Sequence, residues 1–169
     1  MRRMLMIDDE INVLHALQRS LRQCGFADQL RIELFTDTGD ALARAAEVEF
    51  DIVLSDFHMP GMNGIAFLQS FRQLQPEAIR LVLSASTQFD TVMRALNEAE
   101  IFRYLAKPWQ QADLQAVIGQ ALARRDEADR IGVQAGRMTT QEIAARRLEA
   151  DEPGITKVNW GPDGSVMLD

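Results

Sequence analysis

The sequence predicts an α/β chain: a doubly wound, five-stranded parallel sheet with helices on both faces, followed by a small helix and a β-hairpin. Three observations carry this reading. Five short apolar runs alternate with longer segments of helical periodicity, as a parallel sheet covered by crossover helices requires. Three of the runs are almost wholly apolar, the composition of strands buried on both faces. Near the chain's end, Gly161-Pro162-Asp163-Gly164 separates two short runs of strand-forming residues.

The five strands are expected at Met4 to Ile7, Ile32 to Phe35, Ile52 to Leu54, Leu81 to Leu83 and Ile101 to Leu105. Between them, Val13, Leu14, Leu17 and Leu21 share one helical stripe. Leu42 with Ala45 and Ala46, and Phe67 with Leu68 and Phe71, form others. A further helix begins after Pro108 and presents Leu114, Val117, Ile118, Ala121 and Leu122 inward, fading near Arg124. Residues Arg125 to Arg130 are charged and read either as a solvated continuation of that helix or as a linker. Gly132 and Gly136 weaken a long helix there. Thr139 then reads as the cap of a new helix, with Glu142 three residues on, running until Pro153. Ile155 to Trp160 and Ser165 to Leu168 make the hairpin, which two strands alone cannot stabilise in water. The division is therefore 1–124, 125–138 and 139–169.

Of the 169 residues, 47% are hydrophobic and 25% charged, enough for one full core and a small appendage. The net charge of −7 argues against broad electrostatic binding to nucleic acid or anionic membranes. The apolar stretch at the N-terminus ends at Asp8, too short for a signal peptide. No uninterrupted apolar run approaches the roughly 18 residues a membrane span needs. A cytoplasmic protein is expected. Cys24 is a lone cysteine and reads as a half-buried small residue.

In an open α/β sheet the reactive crevice lies beyond the carboxyl ends of the strands. Those ends carry Asp8 and Asp9, Asp56, Ser84, and Lys107 followed by Pro108. Three carboxylates converging on one crevice repel one another unless a hard dication neutralises them, and Mg²⁺ suits such a site. Asp56 is the candidate nucleophile, forming an acyl phosphate. Lys107 would neutralise charge on the transferred phosphoryl group, and the Ser84 hydroxyl would donate to one of its oxygens.

The sequences Met6-Ile7-Asp8-Asp9-Glu10, Ser55 to Gly64, Leu83-Ser84-Ala85 and Tyr104-Leu105-Ala106-Lys107-Pro108 resemble, in combination and order, the flavodoxin-like receiver domain of two-component response regulators. The resemblance covers Met4 to Arg124. It implies that Asp56 is the phospho-acceptor and that Mg²⁺ is bound by Asp9, Asp56 and the backbone carbonyl of His58, with Asp8 acting mainly through water. It further implies that Ser84 and Lys107 contact the phosphoryl group, that Tyr104 is a switch aromatic, and that Lys107-Pro108 is a cis peptide. Ser84 stands where threonine is frequent, keeping the hydroxyl but losing the restraining methyl. His58 and Ser86 occupy positions that tune dephosphorylation in the family. Arg103 to Trp109 also resembles receivers attached to HD-GYP phosphodiesterases.

The implied partners are a histidine kinase or phosphotransfer protein, a downstream protein target and a second copy in a homodimer. No catalytic or DNA-binding output segment is visible in the sequence, so the chain reads as a phospho-acceptor switch rather than an enzyme. A haloacid-dehalogenase-like aspartyl phosphatase would want a second aspartate where His58 stands. A transcriptional regulator would want two helices of a helix-turn-helix after residue 124, where acidic residues outnumber basic ones. A flavodoxin-like redox protein would want a phosphate loop in place of Asp8-Asp9-Glu10. Met59 to Gly64 read as a turn whose glycines supply backbone freedom. His15 lacks neighbouring metal ligands, Trp109 is expected to cover the start of the last receiver helix, and Trp160 to be buried by its own hairpin.

Overall fold

The computed structural model describes residues 1–59, 61–85, 93, 97–151, 159–160 and 166–167, with side chains described through residue 132. The chain divides into two units, Met1–Arg125 and Asp126–Asp169. In the first, β1 (Arg2–Ile7), α1 (Ile11–Gln23), β2 (Leu30–Phe35), α2 (Thr38–Glu47), β3 (Ile52–Asp56), α3 (Gly64–Leu74), β4 (Ile79–Ala85) and β5 (Arg103–Lys107) follow in order. The five strands form one sheet, ordered β2-β1-β3-β4-β5, with every pairing parallel. This is the doubly wound sheet expected.

Alternate residues of each strand enter opposite cores, because side chains alternate across a pleated sheet. Met4, Met6, Ile52 and Leu54 join Leu14, Leu17 and Leu21 of α1 on one face. Leu5, Ile7 and Val53 join Phe67, Leu68 and Phe71 of α3 on the other. All of these side chains are buried. In α2 the inward stripe is Ala41 and Ala45 with Leu42 at its margin, whereas Ala46 is exposed. The expected stripe was thus rotated by one residue, since Ala41 lies four residues before Ala45 and so shares its face.

The first four strands outrun the expected apolar runs: β1 and β2 begin two residues early at Arg2 and Leu30, β3 reaches Asp56 and β4 spans Ile79–Ala85. Two further elements differ from expectation. The fifth strand begins at Arg103, not Ile101. Ile101 is buried against the second core, while the ladder itself starts where Arg103 pairs with Leu81. The apolar run therefore marked the approach to the strand as much as the strand. The last helix, α4 (Gln111–Asp151), does not fade near Arg124, and Thr139 lies inside it rather than capping a new helix. Each glycine costs a helix only about 1 kcal/mol. No proline interrupts the chain between Pro108 and Pro153, and Arg130 pairs with Glu127 one turn earlier.

In the second unit, β6 (Asn159–Trp160) and β7 (Val166–Met167) pair antiparallel, Trp160 opposite Val166. The turn at 161–164 and the apolar residues Ile155, Val158 and Leu168 lie outside the described residues. No described helix is long and apolar enough to cross a membrane.

Candidate functional site

The chemistry-bearing side chains collect where the parallel strands end. β1 is followed by Asp8 and Asp9, and β3 ends on Asp56. Ligand oxygens of Asp8, Asp9 and Asp56 lie within 4.8 Å of one another. Asp8 and Asp56 are buried and Asp9 is exposed, so the trio opens to solvent on one side. Lys107, the last residue of β5, reaches into the same crevice. Its ammonium lies 2.9 Å from Oδ2 of Asp8 and 3.0 Å from Oδ1 of Asp56.

One ammonium against three carboxylates leaves the crevice with a formal charge of −2. That imbalance, with an all-oxygen donor set, fits a hard divalent cation such as Mg²⁺. Burial pushes the Asp8 carboxyl above its ordinary value, and repulsion from Asp56 adds to this. Hydrogen bonds from the Glu10 backbone N–H and from Lys107 offset it in part. The Glu10 N–H donates to Asp8 Oδ1 at 2.9 Å. For Lys107, burial disfavours the charge, yet hydrogen bonds to Asp8 and Asp56 and their attraction prevail, so its pKa is raised. The lysine is held cationic.

The other predicted residues surround this centre. Ser84 is buried near the end of β4, and its hydroxyl donates to the Ala85 carbonyl at 3.1 Å. Its strand partner is Ala106, next to Lys107. Tyr104 lies three residues before Lys107 on the edge strand, 44% exposed. His58 is exposed, its ring edge-on to Phe57 with centroids 4.9 Å apart. The Lys107-Pro108 peptide is cis. Ser86 lies outside the described residues. Asp8, Asp9, Asp56 and Lys107 are thus brought together, while the Ser84 hydroxyl is engaged with its neighbour's carbonyl.

Residues read as incidental also shape the site. Gly61 has φ +81°, a left-handed conformation that suits glycine. Gly64 serves a different purpose from the backbone freedom expected of it. A Cβ there would fall 2.1 Å from the Asp56 carbonyl oxygen, and the Gly64 N–H donates to the Phe57 carbonyl at 2.9 Å. Its missing side chain lets the first turn of α3 press against the backbone that presents Asp56. The adjacent Asn63 caps α3, its side chain accepting from the Ala66 N–H at 2.8 Å.

Comparison with known proteins gives the family. Residues 4–119 match the family described as the response regulator receiver domain. The chain belongs to that receiver family. It is 31% identical over 118 residues to the hydrogenase transcriptional regulatory protein HoxA of Cupriavidus necator, a match covering 70% of this chain and 23% of that protein. It is 33% identical over 152 residues to the transcriptional regulatory protein PrrA of Mycobacterium leprae, covering 90% and 60% respectively. The receiver chain therefore matches only part of the length of each relative. Among solved structures, the signal receiver domain of an HD domain-containing protein from Pseudomonas fluorescens Pf-5 superposes with TM-score 0.69 and 29% identity, over 76% of this chain and 92% of that one.

Proposed function

We propose that this receiver accepts a phosphoryl group on Asp56 from a histidine kinase or phosphotransfer protein, with Mg²⁺ in the acidic crevice, and thereby switches a protein-interaction surface. The observation that carries the reading is the Lys107 ammonium, set 2.9 Å from Asp8 and 3.0 Å from Asp56 over a carboxylate trio that it neutralises only in part. Asp8, Asp9, Asp56 and the His58 carbonyl would hold the metal, which when bound would offset charge on the phosphoryl oxygens. An Asp56 carboxylate oxygen attacks phosphorus and the bond to the donor's leaving group breaks. Lys107 then turns from the carboxylates to an oxygen of the new acyl phosphate. The Ser84 hydroxyl leaves the Ala85 carbonyl to donate to another oxygen, and Tyr104 on the edge strand follows that rearrangement.

The chain works here as a cytoplasmic phospho-acceptor rather than an enzyme with a diffusible substrate, and His58 where a dehalogenase-like phosphatase needs an acid supports this. Residues 1–124 form the receiver. Residues 125–138 extend it, and 139–169 supply the arm and strand pair for a protein contact, with a downstream target or a second copy. A second reading, a transcriptional regulator with a short output segment, draws on the names of HoxA and PrrA.

Intact mass after incubation with acetyl phosphate and Mg²⁺ tests the site. One phosphoryl group is expected on the wild type and none on Asp56→Ala or after chelation. Undiminished labelling of Asp56→Asn refutes the assignment.

A further inference from the structure

The contact between Lys107 and Asp8 joins chain segments that the sheet does not place side by side. In the order β2-β1-β3-β4-β5, the strand ending before Asp8 and the strand ending at Lys107 are separated by two others. Three interstrand spacings amount to roughly 14 Å, and twist accumulates across each of them. The ladder alone therefore fixes the ammonium's position loosely.

A second link joins the same two segments on the helical side. Trp109, two residues after Lys107, donates its indole N–H to Ser20 Oγ at 3.2 Å, and its ring packs against the core that holds Leu14, Leu17 and Leu21 of α1. That helix begins at Ile11, immediately after the Asp8-Asp9-Glu10 segment. One rigid helix thus carries Asp8 ahead of its first turn and the acceptor for Trp109 within its C-terminal half.

We infer that Trp109 is a positioning residue for Lys107. By tying the turn after β5 to α1 through Ser20, it sets the ammonium between Asp8 and Asp56. This rests on the reading of Lys107 as the group that meets the phosphoryl oxygens. Trp109 touches none of the reacting atoms and acts through the two-residue connection to Lys107.

The experiment uses the full chain with Ser20→Ala, Ser20→Thr, Trp109→Phe and the double variant Ser20→Ala/Trp109→Phe. Asp56 phosphorylation by acetyl phosphate and Mg²⁺ affinity are measured on each. The metal-free protein, labelled with ¹⁵N-lysine, gives an independent readout: a Lys107 ammonium held by two carboxylates is protected from exchange, and Lys157 is the only other lysine in the sequence. Ser20→Ala and Trp109→Phe should each slow phosphorylation roughly three- to tenfold, the rate equivalent of one hydrogen bond. The double variant should be no slower than either single one, because both remove the same link. Ser20→Thr should restore the rate, Mg²⁺ affinity should stay unchanged, and the ammonium signal should weaken in the slow variants only. Unchanged rate and ammonium signal overturn the inference. So does a loss that Thr does not rescue or that Mg²⁺ affinity shares, since that marks general destabilisation. A wild type that takes no phosphoryl group while its ammonium still responds to Ser20→Ala refutes the proposed function and leaves the positioning role standing.

Discussion

Replacing Gly64 with alanine isolates the contact that seats Asp56. The added Cβ would lie 2.1 Å from the Asp56 carbonyl oxygen and 3.0 Å from both the Asp56 carbonyl carbon and the Phe57 Cα. All three are backbone atoms, so none can rotate away. A normal carbon–oxygen contact is about 1 Å longer than the first of these. Either α3 or the end of β3 must move by that amount. The helix resists, because Phe67, Leu68 and Phe71 are fully buried beneath it and its first turn is tied down by the Gly64 N–H to Phe57 and by the Asn63 cap. Overpacking of this kind costs about 1 to 3 kcal/mol. In a chain of this size that lowers the unfolding temperature by roughly 2 to 12 °C. A displacement of about 1 Å at a reacting carboxylate can cost on the order of a hundredfold in rate, so phosphorylation of Asp56 should fall 10- to 100-fold. Thermal unfolding followed by circular dichroism and labelling by acetyl phosphate give the two numbers. Gly119→Ala is the control: a Cβ there meets nothing within 4 Å, and in a helix the change should stabilise by about 0.5 to 1 kcal/mol. If Gly64→Ala unfolds with the wild type and is phosphorylated as fast, the close-approach argument is wrong.

Lys107→Ala should bind Mg²⁺ at least as well as the wild type, because the ammonium competes for Asp8 and Asp56, yet should fail to convert phosphorylation into a fluorescence change at Trp109; calorimetry showing metal affinity reduced by orders of magnitude would contradict this. Mg²⁺ at about a hundred times its dissociation constant should stabilise the protein by about 2.7 kcal/mol, and differential scanning fluorimetry with no shift on titration would count against the acidic trio as a metal site. Gln75→Leu should destabilise by about 2 to 4 kcal/mol in denaturant titration. The buried Gln75 amide accepts from the Phe50 N–H at 2.7 Å and donates to the Ala45 and Val48 carbonyls at 2.7 and 2.6 Å, all of which leucine abandons. Removing the residues after Arg130 should leave Asp56 phosphorylation intact, since the described site residues lie within Met1–Arg125, while altering oligomeric state or target binding by light scattering or pull-down.

What the sequence revealed and what it concealed divide along the range of the forces involved. Burial patterns repeat every two or every three to four residues, so Met4 to Ile7 and Leu14, Leu17 and Leu21 announce themselves locally. Strand ends inherit their meaning from that pattern, and Asp8, Asp9, Asp56, Ser84 and Lys107 could be grouped before any distance was known. The continuity of α4 was obscured because glycine penalties at Gly132 and Gly136 are visible in a window, whereas the absence of any better alternative for the charged turn before them, Arg125 to Arg130, is not. Gly64 was misread for a related reason. A glycine in a turn and a glycine under a backbone oxygen have the same letter, and only the path of β3 over α3 tells them apart. The link from Trp109 to Ser20 spans 89 residues, and no periodicity reaches so far. Yet such long contacts decide whether a lysine on the edge strand meets an aspartate beyond β1. The constellation of reactive groups is therefore written in strand-end residues. The accuracy of its assembly depends on side chains whose own neighbourhoods carry no functional mark.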